Sequence, residues 1–346
     1  EELYAHLANK FQGKKIETPF TKIKYEDAIN LYGTDKPDTR FDLIIKKLDE
    51  ELSGTEFNVF NNALNDDGTI RGFSIPKNEM MTRKFYDKLN DFVRSSGGAG
   101  IIPITIEKDL DEIDFKDIKS PISKFLKVED VKKIFNIFNS DSNDVILICA
   151  GKKNIVLDCL GQVRIKLAKD FELIDEEKLN FLFVTDFPLF EKDLDSGKWT
   201  AMHHVFSSPN NETSKFLDND PGKVIGNLFD LVCNGVELGS GSIRIHDKKT
   251  QEKVFSIIGY NDDQVRERFG PLLESFDYGA PPHGGMGLGI DRLVATFLKE
   301  NSIRDVISFP KTQSASDLLW GAPSNIDDEQ KKELKIKNIE EEEGKN

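Results

Sequence analysis

The stretch Val236-Glu237-Leu238-Gly239-Ser240-Gly241-Ser242-Ile243-Arg244-Ile245-His246 carries the residue types of a site that handles carboxylates and phosphates. Extended chain alternates its side chains between two faces. Ser242, Arg244 and His246 are therefore expected on one face, with Ile243 and Ile245 buried on the other. Arg244 would point into the space that Gly239 and Gly241 leave open. An arginine fixed on a strand suits bidentate recognition of a carboxylate. Glu237 could hold Mg2+, which prefers oxygen ligands and shared phosphates. The alternative is a Glu237–Arg244 salt bridge on an exposed sheet face.

A second set lies in Gly279-Ala280-Pro281-Pro282-His283-Gly284-Gly285-Met286-Gly287-Leu288-Gly289-Ile290-Asp291-Arg292. Its glycines and prolines argue against the interior of a helix or strand. Ile290, Leu293, Val294, Phe297 and Leu298 then recur at helical spacing, so a loop is expected to feed a helix N-terminus. Arg292, in the first turn, opposes the helix dipole. A phosphate-like anion over this end would take both the dipole and the guanidinium; a surface pair with Asp291 is the alternative. The run lacks the third glycine of the dinucleotide fingerprint and the Gly-Lys-Ser/Thr of a P-loop, so a different nucleotide site is indicated. His203-His204 forms a third set. Neighbours in a strand face opposite ways, so only one imidazole could enter a pocket and hydrogen-bond a substrate; the pair makes a poor zinc site, and locally an ordinary polar strand end is the favoured reading.

The elements that must position these residues are read as follows. Residues 1–42 give a helical pattern (Leu3, Leu7, Phe11), a strand at Phe20-Thr21-Lys22-Ile23-Lys24 and a short helix Tyr25–Tyr32 stopped by Gly33. Residues 32–41 read as a solvated connector with charges of both signs around Pro37. Residues 43–174 read as a separate α+β module. Strands are expected at Phe57–Phe60, Ile70–Ile75, Gly100–Ile106, Asp144–Ala150 and Asn154–Leu160, and helices at Glu79–Ser95, from Ile122 onward, and at Glu129–Phe138. Asn65-Asp66-Asp67-Gly68 is a turn signal, and no catalytic constellation falls in this module.

From residue 175 to 335 the pattern favours an antiparallel sheet carrying helices. A strand is expected at Phe181–Asp186, interrupted by Pro188. A hairpin turn at Asp195-Ser196-Gly197-Lys198 leads into Trp199–Phe206. Helices are expected at Gly222–Leu231, Lys249–Ile258 and Asp262–Phe269. Residues 336–346 read as an acidic, disordered tail.

The chain has 346 residues, 38% hydrophobic and 10% aromatic, with a formal charge of −14. It is long enough for two or three domains. No run approaches the ~18 apolar residues of a membrane span, and no signal peptide opens the chain. Three separated cysteines, with no C-x-x-C spacing, argue for a reducing compartment and against structural zinc. The acidic balance is wrong for a simple nucleic-acid binder. The opening Glu1-Glu2-Leu3, without Met, suggests a fragment of a longer polypeptide.

Gly287-Leu288-Gly289-Ile290-Asp291-Arg292 resembles motif 3 of class II aminoacyl-tRNA synthetases. The surrounding Tyr278–Gly285, together with Asn234–His246, Ala201–His204, Ile303–Gln313 and Tyr32–Asp38, resembles the bacterial-type aspartyl-tRNA synthetases in particular. The resemblance implies an α+β fold: a class II synthetase-like antiparallel sheet with flanking helices, interrupted at 43–174 by a GAD insertion domain. It implies ATP-dependent ligation of L-aspartate to tRNA(Asp) through an aspartyl-adenylate, with ATP and Mg2+, as a cytoplasmic homodimer (or in an organelle lumen). Arg292 would contact the ATP polyphosphate, supported by Gly289, Ile290 and Asp291. Glu237 would act at ATP and magnesium. Arg244 would clamp aspartate, His203 would hydrogen-bond it, and His204 and Ser242 would line the pocket. Motif 1, motif 2 and the anticodon-binding domain find no counterpart, so the chain alone is expected to be inactive. The rival reading is a non-catalytic module that binds tRNA or a partner through its GAD-like region.

Overall fold

The computed structural model describes residues 1–193 and 196–337. The expected tail falls mostly beyond them, at 338–346, and Asp195 of the expected hairpin turn also lies outside the described residues. The described residues divide into two compact units, Glu1–Gly289 and Ile290 onward.

In chain order the first unit opens with α1 (Glu2–Gln12), β1 (Thr21–Lys24) and α2 (Tyr25–Tyr32). A second group follows: β2 (Lys46–Lys47), α3 (Asp49–Leu52), α4 (Asn58–Asn65), β3 (Thr69–Pro76), α5 (Arg83–Ser95), β4 (Ile102–Ile106), β5 (Ile118–Lys119), α6 (Val128–Phe138), β6 (Asp144–Gly151) and α7 (Lys153–Asp170). The unit closes with β7 (Phe181–Thr185), β8 (Phe190–Lys192), β9 (Trp199–Ala201), β10 (Leu228–Cys233), β11 (Val236–Ile243), α8 (Lys248–Ile257), α9 (Asp262–Asp277) and β12 (Gly284–Leu288). The second unit contains α10 (Ile290–Leu298) and α11 (Asp328–Leu334).

One sheet has the order β1-β7-β10-β11-β12 and is antiparallel except for the parallel pair β1–β7. Its back face carries Phe181, Phe183 and Phe229. Phe20 stacks on Phe181, and Phe229 meets Phe183 edge-on. From α1, Tyr4 packs on Phe181 and donates its hydroxyl to the Leu238 carbonyl. On the front face, Leu182, Val184, Leu228 and Val232 bury against Ala28 of α2 and Phe187. That cover stops at β10. The second sheet, β2-β3-β6-β4-β5, is antiparallel throughout. It has a core on each face, one with Val93, Leu160 and Val163 from α5 and α7, the other with Leu52, Phe60 and Ile134 from α3, α4 and α6.

Several sequence expectations are corrected. Phe57–Phe60 is not a strand: Phe60 and Ala63 are buried in α4, a helical spacing that the four-residue window could not show. Asn154–Leu160 belongs to α7, whose burial continues through Val163, Leu167 and Ala168. A helix buried this broadly has no polar stripe, and its β-branched start imitates a buried strand. The expected helix Gly222–Leu231 gives way to β10, a strand covered on both faces and therefore without alternation. The expected helix from Ile122 is a single 3-10 turn, Ser123–Phe125, and α9 runs on through Pro271 to Asp277.

Residues 32–41 are not a solvated connector. Arg164 of α7 is fully buried and reaches into this segment. Its Nε donates to the Leu43 carbonyl at 3.0 Å, and its Nη2 donates to the carbonyls of Asp38 (2.8 Å) and Phe41 (3.0 Å). The guanidinium also lies over the rings of Tyr32 and Phe41. Burial lowers its pKa to about 10, so it stays charged at neutral pH. Asp38, itself buried, takes a forked pair from Arg40. At Gly33 (φ +72°) a Cβ would lie 2.2 Å from the Leu157 carbonyl, and at Gly161 one would lie 2.8 Å from the Gly33 carbonyl. Backbone meets backbone at this crossing.

Breaking a buried charge network leaves its partners unsatisfied in low dielectric, at roughly 3–5 kcal/mol. Arg164→Met is therefore expected to lower the unfolding free energy by about 3 kcal/mol or more. Arg94→Met, at an exposed position of α5, should stay within about 0.5 kcal/mol. Urea unfolding of both variants checks this.

Candidate active site

Strand pairing decides which residues share the front face. Asp230 pairs with Ser240, Leu228 with Ser242 and Val232 with Glu237. Directly paired residues point the same way. The register shifts between Leu231 and Val232, so Leu238 is the extra residue of a β-bulge. Without that bulge Glu237 would face backwards. With it, Glu237, Ser240 and Ser242 lie on one face with Asp230.

On the edge strand β12 the matching positions are glycines, Gly287 beside Ser240 and Gly285 beside Ser242. A Cβ at Gly285 would meet nothing within 4 Å. The front of β11 and β12 is thus a floor of hydroxyls and bare backbone. Gly239 and Gly241 face the other way, contrary to the expectation that they open space for Arg244. A Cβ on Gly241 would lie 2.4 Å from the Phe229 ring and 2.8 Å from the Gly285 carbonyl. The run from Gly279 is also corrected, because Gly284–Leu288 is a strand. Its glycines permit a ladder with the equally glycine-rich β11, where close backbone contact leaves no room for side chains.

Arg244 sits just beyond β11. Its backbone N–H donates to the His283 carbonyl at 2.9 Å, and the next residue, Ile245, donates to Phe206. Ile245 is buried as expected, but Ile243 is 47% exposed because the strand ends there. Arg244 Nη1 contacts both ring nitrogens of His204, Nε2 most closely and Nδ1 at 3.0 Å, and Ser242 Oγ lies 3.5 Å from Nε2. The Phe206 N–H donates to the same Nδ1. Arginine has only donors, so the imidazole it touches must be neutral. Burial and the Arg244 charge accordingly push the His204 pKa down to about 4.

His203 was expected to face away from His204 across a strand. β9 ends at Ala201, and the bend that follows frees both rings from alternation. His203 Nε2 comes 3.6 Å from Asp230 Oδ1, an ion-pair distance just beyond hydrogen bonding. The Asp230 carboxylate raises the His203 pKa, with smaller contributions from Glu237 and Asp35. Asp230, which sequence reading missed, is 1% exposed, and neither carboxylate oxygen has a hydrogen-bond partner. Its signal exists only in the pairing with Ser240. Glu237 ion-pairs with Lys36, Nζ to Oε2 at 3.5 Å. Seven residues of roughly 3.3 Å each separate Glu237 from Arg244 along the chain, which disfavours the alternative salt bridge.

The structure thus gathers His203 at Asp230, and His204, Ser242 and Arg244 at the far end of the same face. Gly289 donates its N–H to the Leu238 carbonyl at 2.7 Å, closing β12 onto the bulge. Ile290, Asp291 and Arg292 form the first turn of α10, in the second unit. There Thr296 Oγ1 donates to the Arg292 carbonyl. Among the described residues no cluster of three or more His, Cys, Asp or Glu side chains could hold a metal, and no helix is long and apolar enough to cross a membrane.

The sheet face thus brings together a fixed arginine, a histidine it contacts, two carboxylates and a floor of serines and glycines. The family of class II tRNA synthetases (D, K and N) matches residues 1–313, and the chain belongs to that family. It is 41% identical over 337 residues to the aspartate–tRNA(Asp/Asn) ligase of Thermoanaerobacter sp. (strain X514), covering 97% of this chain and 56% of that protein. It is 40% identical over 343 residues to the aspartate–tRNA ligase of Clostridium perfringens (strain 13 / Type A), covering 99% of this chain and 56% of that protein. The chain therefore spans about 56% of the length of these relatives. A solved aspartyl tRNA synthetase from Entamoeba histolytica aligns at 25% identity and a TM-score of 0.32, over 45% of this chain and 27% of that one.

Two outcomes follow from the geometry. Gly241→Ala should lower the melting temperature by roughly 1–4 °C, from about 1–3 kcal/mol of overpacking strain. Gly285→Ala should leave it nearly unchanged while obstructing whatever lies on the floor. Calorimetry of both variants separates packing from function. The second outcome concerns His204. Its folded pKa of about 4 lies below the ordinary 6.5, so the unfolded state binds more protons between those values. The contact's contribution is present above pH 6.5 and lost as pH falls toward 4. Imidazole NMR should show this titration, and Arg244→Met should move it upward.

Proposed function

We propose that the chain is the part of an aspartate–tRNA ligase that grips aspartate and completes the ATP site. The observation that carries this reading is the contact of Arg244 with neutral His204 beside the bare floor of Ser240, Ser242, Gly285 and Gly287. The names of the relatives supply the amino acid.

In this reading Arg244 takes the substrate carboxylate. Its backbone is pinned on two sides, so little orientation is lost on binding. His204, kept neutral, offers a ring nitrogen without adding charge. His203 serves the same substrate from the Asp230 side. The α-carboxylate of aspartate attacks the α-phosphorus of ATP and pyrophosphate leaves, giving aspartyl-adenylate. The aspartyl group then passes to the 3′-terminal adenosine of tRNA(Asp). Arg292, with the backbone of Gly289, Ile290 and Asp291, would bind the polyphosphate, where a helix N-terminus favours an anion. Charge stabilisation and positioning carry such a reaction, and no protein nucleophile is needed.

Asp230 and Glu237 fit magnesium. The ion is commonly held by one or two carboxylates together with substrate phosphates, and Asp230 offers two buried oxygens without hydrogen-bond partners. Bound there, the ion would neutralise phosphate charge. The second sheet, within 43–174, would be the GAD insertion. Dimerisation and a cytoplasmic location remain part of the proposal as family properties.

The test is amino-acid-dependent ATP–pyrophosphate exchange by the full-length protein. Exchange is expected with aspartate and not with glutamate, falling at least 100-fold in Arg244→Ala, on the order of 3 kcal/mol for an unpaired charged partner. A folded full-length protein that exchanges with neither amino acid would favour the interaction-module reading.

A further inference from the structure

We propose that Lys36 is a positioning residue of this site. In the nucleotide-free protein it holds Glu237 in place of a divalent cation, and it exchanges that carboxylate for the phosphate chain when the cation and nucleotide arrive. The identity of the nucleotide rests on the ligase reading; the exchange itself rests on geometry.

The backbone on both sides of Lys36 is anchored. Upstream, Gly33 is locked against Gly161, and Thr34 Oγ1 accepts the Lys36 N–H at 3.2 Å. Downstream, Asp38 is held by Arg40, and its carbonyl is held by Arg164. The loop also touches the turn that starts β11. At Gly235 (φ +83°) a Cβ would lie 3.3 Å from Asp38 Cβ and 3.8 Å from the Lys36 carbonyl. The anchored loop thus delivers one flexible ammonium to the bulged end of β11. Its Nζ stands 3.5 Å from Glu237 and 3.6 Å from Asp35.

The electrostatics there are lopsided. Lys36 stands between Asp35 and Glu237, and Asp230 lies on the same sheet face as Glu237. A dication taken up by Asp230 and Glu237 would meet the ammonium at close range, where like charges repel. Lysine is a compact point charge on a long stem, and this side chain is 39% exposed. It has room to swing. Its long stem lets the ammonium leave Glu237 and pair with a phosphate oxygen while its backbone stays anchored.

The exchange makes an unusual prediction: removing a cation near the site should tighten cation binding. Mn2+ titration of the nucleotide-free, full-length protein, read by electron paramagnetic resonance, is the direct probe. Lys36→Met is expected to bind Mn2+ about three- to tenfold tighter, the loss of one partly exposed like charge beside a dication. Lys36→Arg should stay near wild type. With ATP present, Lys36→Met should raise the KM for ATP with kcat nearly unchanged. In a Glu237→Gln background, Lys36→Met should give no gain in Mn2+ affinity over Glu237→Gln alone, whereas a general surface-charge effect would persist there. Unchanged or weaker Mn2+ binding in a folded Lys36→Met protein overturns the proposal, as does a gain that survives Glu237→Gln. If the wild type shows no aspartate-dependent exchange while the Mn2+ shift appears and depends on Glu237, the partner exchange stands and only the ligase reading falls.

Discussion

The buried guanidinium of Arg164 is the constraint on which the site depends. It belongs to α7 and packs in the second sheet's core, yet all three of its hydrogen bonds go to carbonyls of residues 38–43. Those carbonyls have lost water and need a donor. A single planar fork reaches three of them at once. The same segment carries Lys36 to β11 and Asp38 to the β10–β11 turn. One side chain from the second sheet therefore fixes the geometry of the first sheet's polar face, and the Gly33–Gly161 crossing brings the two backbones close enough for this.

The sheet itself divides its labour by face. The back is filled with aromatic rings, and Gly239 and Gly241 exist to let Phe229 and the β12 backbone approach. The front is apolar only where α2 and Phe187 cover it. Beyond β10 it becomes hydroxyls, carboxylates and glycine. A bulge at Leu238 reconciles these demands: Leu238 stays buried while Glu237 is turned to the front. An unbulged strand could bury the leucine only with its neighbours' faces reversed, which would send Glu237 into the aromatic layer.

What could be seen in the sequence was what is local in the chain. The strand carrying Glu237, Ser242 and Arg244, the helix after Gly289, and the family resemblance all sit in short contiguous runs. The placement of Asp230 and of Lys36 was invisible, although Lys36 lies in the run Tyr32–Asp38 that carries the resemblance, because it comes from pairing across strands and from a loop held by Arg164, 126 residues from Asp38. The loop's charges looked like a solvated surface, since the sequence does not reveal that Asp38 and Arg40 satisfy each other. α7 was misread for a related reason. Burial on nearly every side erases the periodicity by which a helix is recognised.

The two cations of this face, Arg244 and Lys36, differ in ways that match where they sit. Arg244 is clamped at its backbone by His283 and by the residue that follows it, and its guanidinium rests on an imidazole that must remain neutral. A rigid fork of this kind selects a planar carboxylate and cannot follow a moving partner. Lys36 has the opposite arrangement, a fixed backbone and a free point charge. In the proposed exchange the charge at the Glu237 end would change on binding, because a polyphosphate would bring its own counter-ion. A rigid arginine there would clash with the incoming dication, and a lysine at position 244 would lose the bidentate geometry. On the proposed reading, the cation beside each end of β11 has the stiffness its ligand would require.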